Sequence, residues 1–248
     1  MERKEYSAGA VKLSFWFIEF RKVVELLHEG KNAEQIKSLA LNENLFAAPT
    51  TLRANQIYHT VTGRIRALDE SFIPLFTRSD LATQKLFVLI AAMAYDTLFF
   101  DFVYEVIREK MILGTTELSD SDVRVFFKDK QQQNEKVAGW TDATLVRLGR
   151  CYKTMLYEAG IIDKAKTARK ILRPILDPDL VRWLEQNNMG AYVKALAGVS
   201  WKGQTAPLTR WSGNRLFLRK RLRPSARRCT STPSSWPKQI RHGSRFRK

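Results

Sequence analysis

The last 48 residues of this chain, 201–248, contain no Asp or Glu, although they hold 14 Lys and Arg. At the frequency of the first 200 residues, which carry 25 acidic side chains, six would be expected there. Those first 200 residues hold 28 basic side chains, so the formal net charge of +17 belongs mostly to the C-terminal segment. A charge of that size ordinarily points to nucleic acid. Here it is discounted, and function is sought in the nearly neutral first 200 residues. Cysteine is also scarce: the only two, Cys151 and Cys229, form no C-x-x-C pair. That excludes a disulfide scaffold and a redox motif, and fits a reducing cytoplasm. Long apolar runs are missing as well. The longest, residues 86–95, spans ten positions, against roughly 20 for a membrane-spanning helix. It reads as a buried helix, with no membrane partner. No secretory apolar core follows the polar N-terminus.

Catalytic motifs are equally absent. The chain has no G-x-x-x-x-G-K-[ST], no G-x-G-x-x-G and no H-E-x-x-H. None of His28, His59 and His242 has a partner at metal-ligand spacing. His28 suits the negative end of a helix dipole, and His59 reads as an exposed polar residue. Cys151 is flanked by Arg150 and Lys153, which would favour a thiolate, but it lies at the edge of an apolar stripe and reads as packing. Asp120 and Asp122 resemble a cation pair less than a helix start. The expectation is a non-enzyme with no cofactor and no metal.

What the sequence does contain is helical period, almost throughout. Residues 15–29 place Trp16, Phe20, Val23, Val24 and Leu27 on one face and stop at Gly30. Asn32 caps a second helix at 33–42. Pro49 and Thr50 open a third at 51–68. Pro74 breaks the chain before Ser79, which caps 80–95, and Asp96 caps 97–113. Ser119 or Ser121 caps a helix carrying Val123, Phe126 and Phe127, and the polar stretch 128–136 frays. Thr141 caps the clearest helix, 142–159, whose stripe is Leu145, Leu148, Tyr152, Met155, Leu156 and Ala159. Residues 161–176 form a short hairpin in which Ile161-Ile162 and Ile171-Leu172 flank a basic tip. Asp177-Pro178 opens another helix, and 191–197 is the last.

Two stretches have the order of a helix–turn–helix. The first is 33–42 with 51–68, whose turn is longer than usual. It exposes Arg53, Gln56 and Arg66, residue types that read guanine and adenine edges. The second is 120–131 with 142–159, followed by the hairpin as a wing. Its candidates are Arg147, Arg150 and Lys153 on the helix, with Lys164, Lys166, Arg169 and Lys170 on the wing. The alternative is that these are ordinary solvated helix faces.

Several stretches look familiar together. Tyr6-Ser-Ala-Gly-Ala10 is followed by Phe15-Trp-Phe-Ile-Glu-Phe-Arg-Lys-Val-Val24 and Gly30. Val106-Ile-Arg-Glu-Lys110, Leu118-Ser-Asp-Ser-Asp-Val123, Gly139-Trp-Thr-Asp-Ala-Thr144 and Tyr192-Val-Lys-Ala-Leu196 come in the same order. The sequence thereby resembles the BrxA family of BREX phage-exclusion systems. The resemblance implies an all-helical cytoplasmic protein that binds double-stranded DNA through helix–turn–helix units. It also implies a place beside the methyltransferase and ATPase components of the same system, and it transfers no catalytic residue. Residues 201–248 depart from the family pattern.

The expectation is thus an all-α protein in three parts. Residues 1–115 form an N-terminal helix–turn–helix-like subdomain, and 116–199 a second one that resembles a winged helix. Residues 200–248 are a basic segment whose lack of a periodic apolar face predicts disorder; a frameshifted, non-native C-terminus would carry the same signature. The expected function is that of a DNA-binding accessory component. A protein–protein adaptor within the defence complex, using aromatic residues such as Trp16, Trp140 and Trp183, is the alternative. No pattern specifies the oligomeric state, and a monomer is favoured.

Overall fold

Most helix starts follow from side-chain caps legible in the sequence. Asn32 accepts from the Gln35 backbone while the Gln35 side chain accepts from the Asn32 amide, a capping box that opens α2 (Ala33–Asn42). Thr50 caps α3 (Thr51–Ile65), and Ser119 forms a capping box with Asp122 at α8 (Asp120–Gln133). Thr141 caps α10 (Asp142–Glu158), and Asp177 with Pro178 opens α11 (Pro178–Gln186). The computed structural model describes residues 4–165 and 168–198. The segment expected to be disordered, 201–248, and the wing residue Lys166 lie outside the described residues.

Among the described residues the architecture is all-α with one small antiparallel sheet. The remaining helices are α1 (Phe17–His28), α4 (Phe72–Arg78), α5 (Leu81–Tyr95), α6 (Thr97–Phe102), α7 (Arg108–Ile112), α9 (Glu135–Ala138) and α12 (Gly190–Ala197). A 3₁₀ turn, Ala8–Lys12, precedes α1, and a π-helical segment, Val103–Ile107, joins α6 to α7. The apolar run 86–95 lies within α5, where Leu86 through Met93 are at most 3% exposed. It is a core helix, and α5 turns by 114° into the next helical stretch. No single helix among the described residues is long and apolar enough to cross a membrane.

Several boundaries differ from the sequence reading, four of them with a clear physical reason. The first helix starts at Phe17, because Trp16 takes a left-handed conformation with φ 54°. Pro74 sits within the first turn of α4, where its missing N–H costs no helical bond. The cap of α5 is Asp80, which accepts from the Thr83 amide; Ser79 instead donates to the Leu75 carbonyl. The polar stretch 128–136 does not fray, since α8 continues to Gln133. Lys130 is 4% exposed, and its Nζ donates to Glu105 Oε1 at 2.6 Å, with Asp101 Oδ2 at 3.6 Å. Those two carboxylates hold the last turns of α8 against the α6 and π-helical stretch.

Two aromatic clusters organise the core. In the first, Phe20, Phe72, Phe76 and Phe87 meet within 6.2 Å between ring centroids. Trp183 of α11 joins them, packing on Phe72 and Phe87 and donating its indole N–H to Ser71 Oγ at 2.8 Å. In the second, Tyr152 of α10 packs on Phe99 and Phe102 of α6 and on Phe127 of α8. The buried core runs continuously from Ala10 to Leu196, across the expected division at 115/116. The second cluster fixes how α10 is presented.

Candidate nucleic-acid interface

The α10 helix is packed along one face and tied at its flanks by Cys151 and Lys153, which leaves one strip open. Its apolar face, Leu145, Leu148, Tyr152, Met155 and Leu156, is buried. Gly149 brings it close to α8: a Cβ there would lie 2.6 Å from Val123 Cγ1. The Tyr152 hydroxyl donates to Asp96 Oδ2 at 3.2 Å, tying α10 to the α5–α6 corner. Burial pushes the Asp96 carboxyl up to about 6, against hydrogen bonds from Phe99 N, Tyr152 and Leu98 N that favour its ionised form. Gly160, at φ 80°, ends the helix and turns the chain into the wing.

The wing is more elaborate than the expected two-sided hairpin. Residues 161–163 and 170–172 do pair, through an Ile162–Ile171 bridge and the Asp163 N to Lys170 O and Leu172 N to Ile161 O bonds. On its other side, β2 (Ala168–Lys170) pairs antiparallel with β1 (Glu117–Ser119), Leu118 facing Arg169. The distant strand β1 was not legible, because three residues carry too short an alternation to detect. Asp163 Oδ1 accepts from Ala165 N and Lys170 N and so fixes the turn.

The candidate cations divide into two groups. Arg147 and Arg150 are exposed, one turn apart, with no ion pair among the described residues. Thr154 continues their strip, and Lys164 and Lys170 are exposed on the wing. Lys153 and Arg169, by contrast, converge on one carboxylate. Lys153 Nζ lies 2.6 Å and Arg169 Nη1 3.4 Å from Asp120 Oδ1. The hydrogen bond from Lys153 holds the Asp120 carboxyl below its ordinary range. Asp120 therefore clamps α10 to the wing, a role hidden in sequence because its partners lie 33 and 49 residues away. Asp122 is likewise occupied, by the cap and by Lys110 at 2.9 Å.

In the first candidate unit, Arg53 and Gln56 are engaged by the N-terminal segment. Arg53 donates to Gln56 Oε1 at 2.7 Å and lies 5.1 Å from the Trp16 ring centroid. Gln56 Nε2 donates to the Lys12 carbonyl at 3.2 Å. Buried Arg64, missed in the sequence reading, donates to the Phe15 and Ser14 carbonyls at 2.6 and 2.9 Å. Burial draws its guanidinium down to about 10. Of the three candidates Arg53, Gln56 and Arg66, only Arg66 is exposed, and 13 residues of helix place it roughly 20 Å from Arg53. The structure thus brings Arg147 and Arg150 together on one helix beside the wing, whereas Arg53 and Gln56 are engaged with each other and with the N-terminal segment. Cys151 is half-buried, its Sγ 3.7 Å from the Val11 carbonyl, and burial raises its thiol pKa. That is the environment of a packing cysteine.

Fold and site together define a helical protein that presents one cationic helix beside a small three-segment sheet. The BrxA family profile matches residues 4–188. A BREX protein BrxA from Bacillus cereus strain H3081.97 is 38% identical over 182 residues, spanning 73% of this chain and 91% of that relative. A BREX protein BrxA from Paramagnetospirillum magneticum is 22% identical over 187 residues, spanning 75% of this chain and 91% of that relative. A crystal structure of an uncharacterized protein from Magnetospirillum magneticum superposes with a TM-score of 0.67, covering 79% of this chain and all of the other, at 19% identity. The chain belongs to the BrxA family.

Proposed function

We propose that this protein is a non-catalytic component of a BREX phage-defence system that binds duplex DNA through α10 and its wing. The observation that carries the reading is the open Arg147/Arg150 strip on a helix whose opposite face is packed, tied through Asp120 to a wing that exposes Lys164 and Lys170. With the four-residue α9 set aside, the order from residue 97 is helix, strand, helix, helix, strand, turn, strand, with β2 between β1 and residues 161–163. That is the order of a winged helix, in which the last helix enters the major groove and the wing meets phosphates. A helix of about 10–12 Å diameter fits a groove about 12 Å wide. Free Arg side chains on that helix suit guanine edges or phosphates. The BREX relatives named above support the place in phage defence.

Site-specific photo-crosslinking tests this reading. A photoreactive amino acid at Thr154 should capture labelled duplex DNA, and the same group at Glu34 on α2 should not. Capture at Glu34 alone, or at neither position, would contradict it.

A further inference from the structure

The N-terminal 3₁₀ turn lies against the candidate helix on the flank opposite the wing. Cys151 and Lys153 are two residues apart on α10, so they point about 200° apart around the helix axis. Lys153 reaches the wing side through Asp120, and Cys151 faces the Val11 carbonyl. The shorter arc between them holds Arg147, Arg150 and Thr154. The open strip is therefore bordered by the wing on one side and by Ala8–Lys12 on the other. Lys12, the last residue of that turn, is exposed and has no ion pair among the described residues. Its own carbonyl accepts from Gln56 of α3, next to the Val11 carbonyl that faces Cys151 of α10. A helix seated in a groove meets a phosphate ridge on each flank. The wing supplies cations for one ridge, and Lys12 offers one for the other.

We propose that the 3₁₀ turn is part of the DNA-binding surface and that Lys12 is a further phosphate-binding residue, carrying the interface from α10 towards α3. The proposal rests on the reading that α10 holds duplex DNA. The anchoring of Tyr6 to Asp101 at 2.6 Å and of Arg64 to the Ser14 and Phe15 carbonyls keeps the turn fixed at both ends. Lys12 would thus be presented without ordering a loose arm.

The test uses the full chain and a fluorescein-labelled 30-base-pair duplex of arbitrary sequence, with affinity measured by anisotropy across a salt series. One phosphate contact contributes about 0.9 to the magnitude of the slope of log K against log salt. Lys12→Ala should flatten the slope by about 0.9, weakening binding roughly eight-fold at 0.1 M salt relative to its effect at 1 M. Lys12→Arg should keep the wild-type slope, and unchanged melting curves establish that both variants fold. A flattened slope for the Arg147→Ala/Arg150→Ala chain with none for Lys12→Ala would overturn the role of the turn and leave α10 standing. No flattening in either would overturn both.

Discussion

Gly149→Ala tests the geometry that presents α10. The position is helical and buried, and the added Cβ would meet Val123 Cγ1 at 2.6 Å and Phe127 Cε2 at 3.5 Å. Neither neighbour is the far end of a flexible chain: Val123 is β-branched and 6% exposed, and Phe127 is 3% exposed and stacked on Tyr152. Relief demands that α8 and α10 separate by the better part of an ångström. Overpacking of this kind costs about 1–3 kcal/mol. Alanine returns up to about 1 kcal/mol of helix propensity. The net expectation is a loss of about 1 kcal/mol, or roughly 2–4 °C in Tm for a body of this size. Urea denaturation followed by circular dichroism measures it. Trimming the neighbour gives the decisive comparison. In a Val123→Ala background the clash is gone, so Gly149→Ala should become neutral or stabilising there. If Gly149→Ala stabilises the otherwise unaltered chain, the two helices are not in the close contact described.

Two other perturbations follow from the site. Asp120→Asn should release Lys153 and Arg169 towards DNA, steepening the salt slope by up to about 1.8. Asp120 itself is exposed, so the pairs it breaks are worth about 1 kcal/mol or less and melting should move little; an unchanged slope would mean that the released cations face away from the duplex. Asp96→Asn concerns pH. The folded carboxyl titrates at about 6 against 3.8 unfolded, so its contribution to stability is full below about pH 4 and is lost as pH rises through 6. The loss reaches about 3 kcal/mol at neutral pH. Asn keeps an acceptor for the cap and does not ionise, so its stability relative to wild type should grow from pH 4 to pH 7. A difference independent of pH would contradict the burial assigned to Asp96.

Legibility in the sequence followed the range of the interactions. Capping residues act within one helical turn, so Asn32, Thr50, Thr141 and Asp177 could be read directly. The ten-residue apolar run marked α5, and the alternation around Ile161–Ile162 and Ile171–Leu172 marked half of the wing. What failed was set by distant partners. Lys128–Lys136 looked solvated until Asp101 and Glu105 were found to hold Lys130. The spacing of Trp16 reads as helical, but its backbone is left-handed and its ring lies 5.8 Å from the Arg64 guanidinium of α3. Arg147, Arg150 and Lys153 formed one cationic strip by spacing, and only the fold separates the two open arginines from a lysine bound to Asp120. Charge pattern identifies a candidate face; which cations on it are uncommitted is a tertiary property.

The most direct measurement is the salt dependence of duplex binding by the Arg147→Ala/Arg150→Ala chain, both full-length and ending at residue 200. If both arginines touch phosphates, the slope of log K against log salt should flatten by roughly 2 in both forms, on unrelated sequences alike. If one of them reads a base, its loss should instead cost about 1–3 kcal/mol on a preferred site and little elsewhere. Unchanged slope and affinity in the shortened chain would show that α10 does not hold DNA.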